Sequence, residues 1–298
     1  MKTPSSYLLL CVIVLLSLSL NAQVKQTIIP YYDMEKELFG YKDSILNMAA
    51  IPAKYQYADR FYEGRARIQQ NDMWGFIAFS GKEITPIMYE DALNMKDSLA
   101  AVKLKGKWGY INRNGELVIP YTYQMATSFY EDRAAVSNGD FWGFINSKGV
   151  LGIDYMFGYD ENVYPIFKEG LANVKFREKY GYINPLGQII IPFTYDYALP
   201  FDNGLAAVEQ DYGWGFINTN GKAVVAIKYD ISNTFPVFND GLCPVSVKGK
   251  HGFVNRKGEE QIPLIYDYAS NFEKGKAPVR LGSQSFYIDT NGNRIDEE

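Results

Sequence analysis

Histidine and cysteine are scarce in this 298-residue sequence, which contains one His and two Cys. Zinc and haem centres draw most of their ligands from these two residue types, so we predict no metal and no cofactor. Cys11 lies in an apolar N-terminal segment, which leaves Cys243 alone in the rest of the chain and excludes an internal disulfide. We interpret Cys243 as a small buried residue.

Positive charge is not in excess either. The chain contains 30 Lys and Arg and 34 Asp and Glu, so the net charge is -4. A nucleic-acid partner is therefore not expected, since neutralising phosphates needs a dominant basic face. Phosphate-binding glycine motifs and long amphipathic helical patterns are also missing, which predicts low helix content. The chain is rich instead in aromatic residues, with 24 Tyr, 18 Phe and 4 Trp, and in glycine, with 26.

Residues 1–22 have the pattern of a secretory signal peptide. Lys2 supplies a positive charge, residues 7–20 form an apolar run, and Ala22 precedes the expected cleavage site. This run is short for the ~30 Å hydrocarbon core of a bilayer, so a cleaved signal is favoured over a transmembrane anchor. We expect an exported protein, periplasmic, cell-surface or extracellular, without a transmembrane span after cleavage.

One motif recurs through the rest of the chain. It reads aromatic, Gly, aromatic, aliphatic and Asn, and successive copies begin 34 to 38 residues apart. His251 occupies a leading aromatic position, so we interpret it as a substitute for a ring and not as a catalytic or metal-binding histidine. The clear copies begin at Trp74, Trp108, Trp142, Tyr180, Trp214 and His251, and degenerate copies begin at Phe39 and Ser285.

Three further features keep step with this motif. In the copy that begins at Trp108, a turn follows at Asn114 and Gly115, and a short apolar strand then ends at Pro120. A corner begins at Tyr123 and leads to a last strand. In other copies a glycine precedes this last strand. Each copy therefore offers about three short strands, and so small a unit gains stability by packing on its neighbours.

The strand Lys107–Asn112, followed by Gly115 and Pro120, resembles the bacterial WG-repeat family, also described as WG-containing or KWG-like β repeats. The resemblance covers about residues 35–296. It implies a β-repeat protein that serves as an interaction scaffold, and it carries over no catalytic residue.

These observations predict an all-β fold of tandem ~34-residue, three-stranded repeats that form an open, twisted, β-solenoid-like array. The alternative is a closed β-propeller of seven or eight units, in which the Tyr-led corner hides a short fourth strand. The expected organisation is a signal peptide at residues 1–22, an N-terminal strand or cap at 23–38, and an array of about seven repeats at 39–298.

For function, we expect an exported, non-enzymatic scaffold that binds a protein or glycan partner in the cell envelope or medium. The sequence offers no catalytic, cofactor-binding or metal-binding candidates. A second hypothesis is a carbohydrate-binding module that uses exposed aromatic rings. Its ligand-contact candidates are aromatic residues outside the main repeat positions, Tyr130, Tyr164 and Tyr212.

A third hypothesis is a carboxylate-dependent hydrolase, because a glycosidase needs only two carboxylates. Its candidates follow the leading residue of the corner in most copies, and this repetition favours a structural role as acceptors of local backbone N–H groups. They are Glu90, Asp160, Asp196, Asp230 and Asp267.

Overall fold

A computed structural model describes residues 27–160, 163–230 and 236–295. The elements formed by these residues are β-strands, which confirms the all-β class. The expected signal peptide lies outside the described residues. No helix in the described part of the chain is long and apolar enough to cross a membrane. The strands are β1 (Ile28–Asp33), β2 (Leu38–Asp43), β3 (Ala49–Tyr55), β4 (Tyr57–Ala58), β5 (Arg65–Gln70), β6 (Met73–Ala78), β7 (Asp91–Ala92), β8 (Leu99–Leu104), β9 (Lys107–Asn112), β10 (Leu117–Tyr123), β11 (Met125–Ala126), β12 (Ala134–Ser137), β13 (Trp142–Ile145), β14 (Leu151–Phe157), β15 (Phe167–Lys168), β16 (Leu171–Phe176), β17 (Lys179–Ile183), β18 (Ile189–Tyr195), β19 (Tyr197–Ala198), β20 (Leu205–Gln210), β21 (Gly213–Asn218), β22 (Ala223–Tyr229), β23 (Leu242–Val247), β24 (Lys250–Asn255), β25 (Glu260–Tyr266), β26 (Tyr268–Ala269), β27 (Lys276–Leu281), β28 (Gln284–Asp289) and β29 (Arg294–Ile295).

The chain forms two compact units of small antiparallel sheets. The first contains the described residues up to Gly139 together with Ile145–Val150, and the second contains Asp140–Phe144 and the described residues from Leu151 onward. In the first unit the sheet orders are β1-β2-β3, β4-β5-β6 and β10-β9-β8-β7, and β11 pairs with β12. In the second unit β13 neighbours β14, and the sheet orders are β15-β16-β17-β18, β19-β20-β21-β22, β23-β24-β25 and β26-β27-β28-β29.

Part of the segment expected as an N-terminal strand or cap forms β1. This strand runs antiparallel to β2 along its whole length, with Ile28 opposite Asp43 and Asp33 opposite Leu38. The first sheet therefore receives its outer strand from residues that precede the first recognisable motif at Phe39.

The sheet of β19 to β22 illustrates how one copy is built. β20 and β21 pair along their whole length, with Leu205 opposite Asn218 and Gln210 opposite Gly213. β22 pairs with β21 through an irregular register, and the two-residue strand β19 pairs with the other edge of β20. The three predicted strands are present, and the Tyr-led corner adds the short fourth strand that the propeller alternative allowed.

Two-residue turns with positive φ join these strands. In the turn before β20, Asn203 and Gly204 have φ of 51° and 82°, and Asp202 pairs with Leu205 across the turn. Positive φ at both central residues marks a type I′ turn, whose twist matches that of the flanking strands and which favours Asn and Gly. Glycine takes the second position of the corresponding turn at Gly64, Gly170, Gly241 and Gly275.

The asparagine that ends the repeated motif closes the next turn. The Asn218 Oδ1 atom accepts hydrogen bonds from the backbone N–H groups of Asn220 at 3.1 Å and Lys222 at 3.0 Å. This Asx arrangement gives the turn a local acceptor that hydrophobic patterning alone does not provide. The same bonds form at Asn112, Asn146, Asn184, Asn255 and Asp289.

The glycine of the motif permits a close approach of two strands. A Cβ atom on Gly215 would lie 2.6 Å from the carbonyl oxygen of Val225 and 2.7 Å from the Cα atom of Ile227. The register of β21 and β22 shifts at this point, between Trp214 and Phe216. Glycine is therefore required where the third strand crosses the motif.

The core lies between consecutive sheets of each unit. In the second unit, buried Tyr182 and Ile191 of one copy form a cluster with Phe201, Val208 and Ile217 of the next. Every residue of β9 except its two end residues is buried, so both faces of a motif strand are covered. Contacts between copies thus supply the burial that a single small sheet lacks.

Cys243 is buried in β23, as predicted. Its thiol is fully excluded from solvent within an apolar cluster that contains Val225 and Val254. Burial raises the pKa of Cys243 to about 12, which keeps the thiol protonated at neutral pH. An inert thiol of this kind fits the structural interpretation.

Candidate functional site

Most aromatic rings at the repeat positions pack against other side chains of the fold. The Tyr197 ring packs against Tyr180 at 5.5 Å and against Trp214 at 5.8 Å between ring centroids. Tyr57 lies between Phe39 and Trp74 in the same manner. Because these rings pack against one another, a ligand would have to use rings outside these positions.

The corner carboxylates accept backbone N–H groups, as the structural interpretation predicted. The Asp196 Oδ2 atom accepts the N–H of Asp211 at 2.9 Å, and the Asp267 Oδ2 atom accepts the N–H of Gly282 at 2.7 Å. The expectation of local donors was wrong, because each donor lies 15 residues further along the chain, in the turn between two longer strands. Glu90 and Asp230 bind the corresponding turns through Gly106 and Lys248.

Asp160 is an exception among these carboxylates, because its Oδ2 atom accepts the hydroxyl of Tyr180 at 2.7 Å. Burial raises the pKa of Tyr180, and the neighbouring carboxylate of Asp160 raises it further. Each of the five carboxylates proposed for hydrolysis therefore has a hydrogen-bonded role in the fold. In the described residues, no group of three or more His, Cys, Asp or Glu is placed to hold a metal ion.

Lysine side chains pair with two of these carboxylates. Lys179 forms an ion pair with Asp196, and Lys250 forms one with Asp267 at 2.6 Å. The lysine partner is the main cause that holds the pKa of each aspartate below its ordinary value, and the backbone N–H of the turn adds to it. The turn position that follows Asp211 is occupied by Tyr212.

The structure places the three predicted ligand-contact residues at different locations. Tyr130 lies in the first unit, half-buried beside a tight turn, with the Lys96 ammonium 5.2 Å from its ring centroid. Tyr164 lies in the second unit and meets the buried Trp142 ring edge-on at 6.0 Å. Tyr159 stacks on the same indole at 6.4 Å, so Tyr164 belongs to an aromatic cluster.

Tyr212 has a different environment from the other two. It occupies the turn between β20 and β21 with φ of 65°, and 92% of its surface is exposed. Tyr212 lines an open cavity of about 550 Å³. The other residues that line this cavity are Gln210, Asp211, Gly213, Ile227, Lys228 and Asp230.

An exposed apolar group that the sequence analysis does not predict lies at the start of β18. Leu186 is 78% exposed, Ile189 is 60% exposed, and Ile190 is also exposed. β25 has the same pattern of burial, yet it carries Glu260 and Gln261 at the positions of the two isoleucines. This difference between two copies was the available signal that these positions face solvent.

Comparison with known proteins identifies the repeat. The model of the WG containing repeat matches residues 39–74, 74–108, 108–140, 142–180, 180–213, 214–250 and 252–284. No curated protein matches the chain.

Solved structures match at low sequence identity. A eukaryotic initiation factor has 10% identity over 79% of this chain and 73% of its own, with a TM-score of 0.53. BamB from Moraxella catarrhalis has 9% identity over 86% and 89%, with a TM-score of 0.49. The matching structures are β-propeller-like, and a closed β-propeller is the alternative that the sequence predicts beside the open array. Because seven consecutive matches of the repeat model span residues 39–284, the chain belongs to the WG containing repeat family.

Proposed function

We propose that the protein is an exported, non-enzymatic β-repeat scaffold that binds a protein partner in the cell envelope or the surrounding medium. The observation that carries this proposal is the apolar edge at the start of β18, which consists of Leu186, Ile189 and Ile190, all exposed. Exposed apolar residues such as these, in a strand and the turn before it, are typical of surfaces that bind another protein.

The position of β18 in its sheet strengthens this argument. β18 is the last strand in the order β15-β16-β17-β18, so one of its edges has no partner within that sheet. Natural proteins usually protect such edges with charged residues. β25 follows this rule with Glu260, whereas β18 presents Ile189 at the same position.

Energetics agree with a binding role for the apolar edge. Burial of an exposed Leu or Ile side chain contributes about 1.5–3 kcal/mol, so three such residues can form the centre of an interface. The sequence of β25 indicates that the same strand position accepts polar residues. Folding therefore does not require isoleucine at positions 189 and 190.

Two features of the sequence support the remaining parts of the proposal. The pattern of residues 1–22 supports export. A non-enzymatic role is supported by the use of the repeated polar residues in the fold, where Asn218 and Asp196 accept backbone N–H groups.

The test is a pull-down from envelope and medium fractions with the chain from Gln23 onward as bait. The variant Ile189→Glu/Ile190→Gln gives β18 the residues that β25 carries naturally. Thr194→Glu serves as the control, because it adds a charge to the same strand at an exposed position.

We expect the wild type and the control to capture the same protein, and the double variant to capture at least ~10-fold less, which corresponds to ~1.4 kcal/mol. Equal capture by all three proteins would refute the role of the apolar edge. Turnover of a substrate by the purified protein, lost on mutation of one residue cluster, would refute the non-enzymatic role.

A further inference from the structure

Two departures from the repeat coincide in the turn between β20 and β21. The second turn residue is glycine at Gly106 and Gly249 and acidic at Asp72 and Glu178, but it is aromatic at Tyr212. The next residue is lysine at Lys107 and Lys250, but glycine at position 213. This copy has therefore gained a ring at the tip of the hairpin and lost a side chain beside it.

The backbone of Tyr212 is strained. Its φ of 65° lies in the left-handed region, where a bulky residue with a Cβ atom is rare and glycine is favoured. The ring is almost fully exposed, so it gains little by burial. Asp72 and Glu178 occupy the same turn position with φ of 59° and 66°, so what distinguishes this copy is the large exposed ring that Tyr212 places there.

The surrounding structure holds this turn in place. The N–H of Asp211 donates to the Asp196 Oδ2 atom at 2.9 Å, and Asp196 is itself paired with Lys179. Gln210 and Gly213 pair across the base of the turn. The backbone that carries the Tyr212 ring is thus fixed from both sides, which reduces the entropy that a ligand must overcome.

The cavity beside the ring combines hydrogen-bond donors and acceptors. Its lining residues include Lys228, Gln210, Asp211 and Asp230, whose side chains carry an ammonium, an amide and two carboxylates. The Lys228 ammonium lies 5.2 Å from the Tyr229 ring centroid. The Asp230 Oδ2 atom also accepts the N–H of Lys248 at 2.7 Å, which fixes the orientation of that carboxylate. The volume of about 550 Å³ lies within the range of small-molecule sites.

This chemistry selects among ligand classes. A phosphate would meet the carboxylates of Asp211 and Asp230 at close range, which is unfavourable. An acyl chain would find few apolar partners, because Ile227 and the Tyr212 ring are the main apolar groups of the lining. A sugar hydroxyl both donates and accepts hydrogen bonds, and the apolar face of a pyranose ring can pack on a tyrosine ring.

We propose that the cavity formed by Tyr212, Gln210, Lys228 and Asp230 binds an uncharged saccharide, with a pyranose ring packed on the Tyr212 side chain. This site goes beyond the proposed protein partner and uses other residues than the apolar edge of β18. Failure of one proposal therefore leaves the other standing.

The experiment applies the chain from Gln23 onward to an array of neutral and acidic oligosaccharides, and measures the dissociation constant of the strongest neutral binder by calorimetry. Tyr212→Gly removes the ring and also relieves the backbone strain. Tyr212→Trp keeps an aromatic surface. Glu178→Gly is the matched control, because Glu178 occupies the same turn position between β16 and β17 with φ of 66°.

We expect Tyr212→Gly to weaken binding at least ~10-fold without lowering the unfolding temperature, so that a folding defect cannot explain the loss. Tyr212→Trp should bind more tightly than Tyr212→Gly, and Glu178→Gly and Ile189→Glu/Ile190→Gln should bind as the wild type does. The proposal is overturned if the array shows no neutral binder, if Tyr212→Gly binds normally, or if only acidic glycans or inorganic phosphate bind.

Discussion

The carboxylate of Asp196 accepts the backbone N–H of Asp211 at 2.9 Å and so ties the corner of one copy to the hairpin turn that follows β20. Lys179 pairs with the same carboxylate. Equivalent contacts join Asp267 to Gly282 and to Lys250, so this arrangement is a repeated element of the fold. Asp196, a candidate for catalysis in the sequence, therefore supports a tight turn.

Variants of Asp196 should show how much its hydrogen bond with the Asp211 N–H and its ion pair with Lys179 each contribute to stability. We expect Asp196→Ala to lower the free energy of unfolding by about 1 kcal/mol, because it removes the acceptor of the turn N–H as well as the ion pair. Asp196→Asn retains an acceptor oxygen and should cost less. Urea denaturation of the three proteins at one ionic strength measures these differences.

Lys179→Met provides the control for this prediction. It removes the ion pair and leaves the bond between Asp196 and Asp211 in place, so its effect should be smaller than that of Asp196→Ala. The carboxylate is partly exposed, and salt screens pairs of this kind. A loss for Lys179→Met as large as that for Asp196→Ala would show that the ion pair, and not the turn, carries the stability.

A second prediction concerns the glycine that precedes the second aromatic residue of the motif. Gly215→Ala should destabilise the protein by about 3 kcal/mol or more, because the new Cβ atom would lie 2.6 Å from the Val225 carbonyl oxygen. Gly204→Ala is the matched comparison, since no atom lies within 4 Å of its Cβ position and only the φ of 82° opposes it.

Chemical denaturation should therefore rank Gly215→Ala below Gly204→Ala in stability. The cost at Gly204 should be about 1–2 kcal/mol, the usual strain of an L-residue in the left-handed region. If the order is reversed, backbone strain in the turns limits stability more than the close approach of β21 and β22.

The sequence predicted the all-β class, the repeat and the interpretation of Cys243 as a small buried residue, because each depends on patterns within a few residues. The partner of Asp196 could not be predicted, since that contact depends on the register between a corner and a hairpin 15 residues away. Both faces of β9 are buried because neighbouring copies cover them, and the residues of one strand do not reveal this. The exposure of Ile189 is indicated in the sequence only by Glu260 at the same position of β25.

The candidate site was predicted in part. The position of Tyr212 outside the main repeat predicts an available ring, and the residue is exposed beside the cavity. The sequence does not predict that Lys228 and Gln210 line the same cavity. Gln210 lies in β20 and Lys228 in β22, and these strands come together because both pair with β21. Tyr130 and Tyr164 were selected by the same criterion, but each ring packs against a side chain of the fold.

The last prediction uses the single histidine. His251 lies in β24, its ring is 6.2 Å from that of Tyr268, and its Nδ1 atom is buried without a hydrogen-bond partner. Burial lowers the pKa of His251, and the nearby charge of Arg280 lowers it further, although Asp230 and Asp267 act in the opposite direction.

The sign of the pH dependence follows from this shift. The unfolded chain binds a proton at His251 near the ordinary pKa of about 6.5, whereas the folded chain binds it only at lower pH. The contribution of His251 to stability is therefore present above about pH 6.5 and is lost as the pH falls from that value toward the pKa in the folded state. The aspartates with lowered pKa titrate below this window.

Unfolding midpoints in urea at pH 8 and pH 5.5 test this prediction. We expect the wild type to lose stability at the lower pH, and His251→Tyr, which restores a ring found at the same position in Tyr180, to lose less. Tyr has no ionisation in this range, so the difference between the two proteins isolates the imidazole. An equal loss in both proteins would mean that His251 becomes protonated as readily in the folded chain as in the unfolded chain.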